Sequence, residues 1–168
     1  MKRYKLLIAL LILSCLLFGC RDAEKDPQDH ATFYYCRSEY QYGSDESVVV
    51  AEKRDVSGHA DDVNYILTLY LLGPMDETLI SPLPGTTRLL SLENDKQVLT
   101  ITLSDTDKEL SDAQFTLACG CLTKTCLELT DSTAVTIISG DRSITMDAGD
   151  LLLFDDGLPA ETNTEETQ

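Results

Sequence analysis

The sequence predicts an α+β domain ordered β-β-α-β-β-α-β-β, a mostly antiparallel sheet with two helices packed on one face. Three observations carry that reading. Between Val98 and Ser104, Leu99, Ile101 and Leu103 alternate with Thr100, Thr102 and Ser104, the pattern of a strand with one wet face. Phe115, Ala118, Cys119, Leu122, Cys126 and Leu129 recur along one helical stripe. Glycine breaks at Ser57-Gly58, Gly73-Pro74 and Gly140-Asp141 divide the periodic runs into short elements.

Taken in order, Thr32 to Cys36 is aromatic and β-prone, through Phe33, Tyr34 and Tyr35. A turn-rich stretch at Gly43-Ser44-Asp45 separates it from Ser47 to Arg54, which holds Val48, Val49 and Val50. The two runs read as a hairpin with a long connection. Asp61 and Asp62 then open a helix, where negative charge suits the positive end of the dipole. Val63, Ile66, Leu67, Tyr70 and Leu71 are spaced as one helical face. Gly73-Pro74 ends it, because glycine accepts the turn and proline lacks a backbone donor.

Ser81-Pro82-Leu83-Pro84-Gly85-Thr86 reads as a rigid loop. Thr87 to Leu92 and Val98 to Leu103 form a hairpin that turns at Glu93 to Lys96. Ser111 and Gln114 have the spacing of a capping box at the start of the second helix. Thr133 to Ser139 and Arg142 to Met146 make a last hairpin, with Gly140 at the first turn position that a type II′ turn requires.

The chain ends are of another kind. Lys2, Arg3 and Lys5 precede an apolar run from Leu6 to Phe18, then Gly19 and Cys20. A cationic start, an apolar stretch of roughly 7–15 residues and a small residue before cleavage describe an export signal. The run is shorter than the ~20 residues that span a bilayer. Leu17-Phe18-Gly19-Cys20 resembles the lipobox of bacterial lipoproteins. That resemblance implies cleavage before Cys20 and acylation of its thiol, which would hold the chain to the extracytoplasmic face of the cell membrane. Two acyl chains anchor stably where one is marginal. The expected organisation is a signal at 1–19, a flexible tether at 20–31, the folded domain at 32–147 and an acidic, disordered tail at 148–168. Of 13 basic and 29 acidic residues, the signal holds three basic and no acidic ones, leaving 10 against 29 and a net charge of −19. Such a surface repels nucleic acid and anionic head groups.

Leu69-Tyr70-Leu71-Leu72-Gly73-Pro74, Ser81-Pro82-Leu83-Pro84-Gly85-Thr86 and Leu89-Leu90-Ser91 together resemble the GerMN domain, the sporulation and spore germination domain. The loop here is one residue tighter than the family pattern, because Gly85 follows Pro84 directly. The similarity spans nearly all of Thr32 to Met146. The resemblance implies an extracytoplasmic, non-enzymatic module that binds a protein partner in the envelope. It implies architectural roles for Gly73, Pro74, Ser81, Pro82, Pro84, Gly85 and Thr86, and it brings no catalytic residue and no cofactor.

The remaining chemistry is sparse. His30 falls in the tether and His59 in a loop, and neither sits in a motif that would hold a base beside a nucleophile. Asp105, Asp107 and Glu109 alternate as in a calcium loop, but Leu110 stands where the sharp turn needs glycine and Thr116 where the bidentate glutamate belongs. Cys119, Cys121 and Cys126 lie in one helix. Cys119 and Cys126 share a face but are about 10 Å apart along the axis, too far for a disulfide. Cys121 points elsewhere, so three sulfurs do not converge on a zinc ion and small core residues are the expectation. Cys36 can pair with Cys119, Cys121 or Cys126, and the sequence leaves all three open. The leading expectation is a membrane-anchored interaction module acting in sporulation or germination. The alternatives are a regulatory lipoprotein of an envelope sensor, a lipoprotein that binds cell-wall material or small solutes, and a metalloprotein that would need the cysteine cluster to bind zinc.

Overall fold

A computed structural model describes residues 30–39, 47–106 and 109–152. The expected export signal, Cys20, most of the expected tether and the tail from residue 153 lie outside the described residues, as do Tyr40 to Glu46, Asp107 and Lys108.

The chain enters the fold at β1 (His30–Arg37), which pairs antiparallel with β2 (Val49–Asp55) from His30↔Asp55 to Cys36↔Val49. The sequence placed His30 and Ala31 in the tether. The strand begins two residues earlier than that because Ala31 continues the inward series of Phe33 and Tyr35 and is itself buried. Helix α1 (Val63–Leu71) starts at Asp62, whose carboxylate accepts from the Tyr65 amide at 3.0 Å, and it buries Ile66, Leu67 and Tyr70. A two-residue strand β3 (Leu79–Ile80) then pairs with the other edge of β1. No periodic signal marks it, since two residues are too few to alternate.

β4 (Leu89–Asn94) and β5 (Val98–Leu103) form the expected antiparallel hairpin, with a register shift between Leu89 and Ser91. In β5 the buried positions are Leu99, Ile101 and Leu103, as the alternation requires. Helix α2 (Asp112–Leu129) carries the capping box in full: the Ser111 hydroxyl accepts from the Gln114 amide, and the Gln114 side chain accepts from the Ser111 amide. All but Leu129 of its apolar stripe are fully buried, and Leu129 packs partly buried against the same core. β6 (Ala134–Ser139) and β7 (Arg142–Asp147) close the fold through a two-residue turn in which Gly140 has φ +57°. The order continues past the expected boundary at 147: the Gly149 and Asp150 amides donate to the Asp147 carboxylate, and Leu151 is buried.

The class is α+β, and the element order is that of the sequence reading with the short strand β3 added between α1 and β4. The strands, however, divide into two sheets rather than one: β2-β1-β3 and β4-β5-β6-β7. Within the second, β5 and β6 are parallel, because α2 carries the chain back to the same end before β6 starts. The helix α2 packs on β1 of the first sheet and on β6 and β7 of the second, while α1 lies beside β4. The main core joins Phe33, Tyr35, Ile66, Tyr70, Leu99 and Phe115, with others. Each such side chain contributes roughly 1.5–3 kcal/mol on full burial, so this shared core, not strand pairing between the sheets, holds the halves together.

Candidate functional site

The residues singled out by the sequence motifs fall in two adjacent structures. The first is the corner that ends α1. Gly73 takes φ +90°, a left-handed conformation that favours glycine, and its amide donates to the Tyr70 carbonyl at 3.0 Å. The carbonyls around this helix end are met by side chains from the first sheet. Arg54 donates to the carbonyls of Gly73 at 2.5 Å and Leu69 at 3.3 Å. The Tyr35 hydroxyl donates to the Tyr70 carbonyl at 2.9 Å. A cation at the negative end of a helix is favoured by the dipole as well as by the hydrogen bonds.

Arg54 is itself held. It pairs with Glu52 at 2.9 Å, donates to the Tyr35 hydroxyl, and lies 4.9 Å from the centre of the Phe33 ring. Glu52 reaches past it to accept from the Met75 and Asp76 amides, just beyond Pro74. Tyr35 stacks on Tyr70 with centroids 4.9 Å apart. Burial pushes the Tyr35 phenol above its ordinary pKa, with the Arg54 charge working the other way. The sequence pattern marks Arg54 only as the last residue of the second β-prone run. The signal available was a cation directly alternating with Glu52, on the strand that follows the aromatic one.

The second structure is the proline loop. The Ser81 hydroxyl donates to the Leu83 carbonyl at 3.0 Å and accepts from the Leu83 amide at 3.2 Å, a closed side-chain turn. Leu83 is buried between the two prolines. The Thr87 amide donates to the Pro84 carbonyl at 2.9 Å, and the Thr86 hydroxyl donates to Glu109 at 2.9 Å. Gly85 has no positive φ, and a Cβ there would meet nothing within 4 Å. It is therefore not a conformational requirement of the loop, unlike Gly73. A Cβ on Gly73 would lie 3.9 Å from that of Ser81, so the corner and the loop abut.

Two grooves flank the loop. One, of about 480 Å³, runs between Ile80, Pro82 and Pro84 on one side and Leu110, Gln114 and Leu117 on the other, with Cys36 also lining it. The other, of about 520 Å³, lies where Gly85 and Leu89 meet Leu71 and Leu72. Large apolar side chains are exposed along this segment. Leu72 is 77% exposed, Met75 78%, Ile80 50% and Leu90 64%, against two such residues, Tyr65 and Leu152, elsewhere among those described.

No protein-family model matches the chain, and no curated protein matches it. Among solved structures it is similar to a candidate lipoprotein from Clostridium perfringens, at 17% identity and a TM-score of 0.45, over 72% of this chain and 88% of that one. It is also similar to the tandem GerMN domains of the sporulation protein GerM from Bacillus subtilis, at 18% identity and a TM-score of 0.49, over 67% of this chain and 39% of that one.

The other residues weighed in the sequence fall outside this region or serve the fold. His30 opens β1, and His59 stacks on Tyr65 with centroids 4.0 Å apart. Glu109 is a partner of Thr86, and Asp107 lies outside the described residues. Cys119 and Cys126 are buried in the main core, where burial pushes both thiols up, Cys119 to about 12. Cys121 lies in a separate small cluster with Cys36 and Val49. Among the described residues no three or more His, Cys, Asp or Glu side chains are grouped to hold a metal ion, and no helix is long and apolar enough to cross a membrane.

Proposed function

We propose that this chain is an envelope lipoprotein, anchored through acylated Cys20, whose GerMN-like domain binds a protein partner as an assembly component in sporulation or germination. The observation that carries the interaction role is the exposure of Leu72, Met75, Ile80 and Leu90 around two rigidly held motifs. Single exposed apolar residues mean little, but four of the six large ones among the described residues fall between Leu72 and Leu90, the segment that holds both motifs. Here the backbone beside Leu72, Met75 and Ile80 is fixed by Arg54, Glu52 and the Ser81 turn, so little ordering of these three remains to be done on binding. The lipobox and the motif resemblance support the anchor and the setting.

The test is in-cell crosslinking and pull-down of the tagged protein from membranes of growing and sporulating cultures. A partner recovered from sporulating cells, and lost with Leu72→Asp and Leu90→Asp, is the expected result. A partner found in growing cells alone moves the role to envelope signalling. Capture that is unaffected by both substitutions refutes this surface. Cys20→Ala should move the protein out of the membrane fraction, and a variant that still partitions like the wild type refutes the lipid anchor.

A further inference from the structure

Cys36 and Cys121 are brought together by the fold across 85 positions of sequence, with their sulfurs 3.9 Å apart. Cys36 is the next-to-last residue of β1, and Cys121 sits in the middle of α2. They differ from Cys119 and Cys126, which lie in the main core with no other cysteine sulfur in hydrogen-bond contact. The surroundings of the pair are asymmetric. Cys121 is fully buried, whereas Cys36 lines the groove of about 480 Å³ beside the proline loop. Cys36, itself 5% exposed, is thus the member of the pair that borders the groove, and Cys121, at 0%, lies deeper. The hydrogen bond between them has a matching electrostatic consequence: it favours the thiolate of Cys36 and disfavours that of Cys121.

We propose that Cys36 and Cys121 are a dithiol–disulfide site, in which Cys36 takes the attack on an external disulfide reached through the groove and Cys121 resolves it. The inference stands on the sulfur geometry and does not depend on the anchor or on the interaction role. The Cys36 thiolate attacks one sulfur of a disulfide R–S–S–R. A Cys36–S–S–R bond forms, the R–S–S–R bond breaks, and R–S⁻ leaves and takes up the proton that Cys36 released. Cys121 then gives up its proton and attacks the Cys36 sulfur. The Cys36–Cys121 bond forms and the second R–S⁻ departs to be protonated. The two cysteines lose two electrons and two protons, and the external disulfide gains both as two thiols. Closing from 3.9 Å to the ~2.05 Å of a disulfide is a movement of side-chain size, and the bond would tie β1 to α2.

Cystamine is a suitable probe, since it is small and its positive charge is drawn to an acidic chain. The purified protein is reduced, treated with cystamine, alkylated and digested, and the linked peptides are read by mass spectrometry. The expected product is one peptide pair joined through Cys36 and Cys121, about 2 Da lighter than the two reduced peptides together. Cys119 and Cys126 should be found unlinked. The joined protein should unfold about 10 °C higher than the reduced one, because the bond closes a long loop of the unfolded chain. With Cys121→Ala, Cys36 should stop at the mixed disulfide with cysteamine. Recovery of Cys36 and Cys121 both alkylated after treatment overturns the proposal, and so does a link from either to Cys119 or Cys126.

Discussion

Replacing Arg54 by Met keeps most of the aliphatic stem that lies against Phe33 but removes the guanidinium from the end of α1. Three losses follow. The carbonyls of Leu69 and Gly73 lose a charged donor, Glu52 loses its cation, and the Tyr35 hydroxyl loses a partner. Hydrogen bonds to a charged group contribute about 1.5–3 kcal/mol each, and these are not additive within one network. The pair is 9% and 11% exposed, close to the buried limit in which removing one partner costs about 3–5 kcal/mol. We therefore expect a loss of roughly 3 kcal/mol in urea unfolding of the purified protein. Part of that loss is the uncompensated Glu52 carboxylate. Adding Glu52→Gln keeps an oxygen to accept from the Met75 and Asp76 amides while removing the charge, so the double variant should recover about 1 kcal/mol relative to Arg54→Met alone. A single-variant loss under about 1 kcal/mol, or a double variant that is simply the sum of the two losses, would refute the view that Arg54 and Glu52 act together to hold the Gly73-Pro74 corner.

Gly73→Ala should lose about 1–2 kcal/mol from backbone strain alone, since the nearest neighbour of the new Cβ is 3.9 Å away, while Gly85→Ala should stay within about 0.5 kcal/mol; equal effects in thermal unfolding would contradict that contrast. Ser139→Ala removes a buried hydroxyl that accepts from the Thr106 amide at 3.1 Å and donates to the Ser104 carbonyl at 2.9 Å, and should lose about 1–3 kcal/mol together with faster hydrogen exchange at Thr106. Protection at Thr106 that is unchanged in the variant would show that the loop after β5 is held by other contacts.

What the sequence made legible is what local pattern controls. The alternation of β5, the stripe of α2, its capping box and the Gly140 turn are each written in a few consecutive residues, and the structure places them within a residue or two of expectation. β1 starts two residues before the position its β-prone run marks, because His30 and Ala31 continue a polar, charged stretch and only the pairing with Asp55 and Arg54 reveals them as strand. The division into two sheets was not legible, since whether β1 pairs with β3 or with β4 depends on contacts remote in sequence. The choice of Cys121 over Cys119 and Cys126 as the neighbour of Cys36 has the same origin. It follows from which face of α2 meets β1, and a helical stripe read from sequence does not name its partner.

That same docking decides how far an event at the sulfur pair can reach. The Tyr34 amide donates to the Thr125 hydroxyl, which in turn donates to the Cys121 carbonyl, so β1 and α2 are already joined by a short relay one turn beyond the cysteines. A bond between Cys36 and Cys121 would therefore fix a contact that exists, not create a new arrangement. Its effect on the folded state should be local and fall on the groove, because Cys36 and Leu117 line it from the two elements the bond would tie. The Gly73-Pro74 corner is held by Arg54 and Glu52 from β2, on a separate set of hydrogen bonds. The two halves of the motif region are thus separable. Oxidation should stiffen the groove wall beside the proline loop, and the exposed Leu72 and Met75 should keep the conformation that Arg54 gives them.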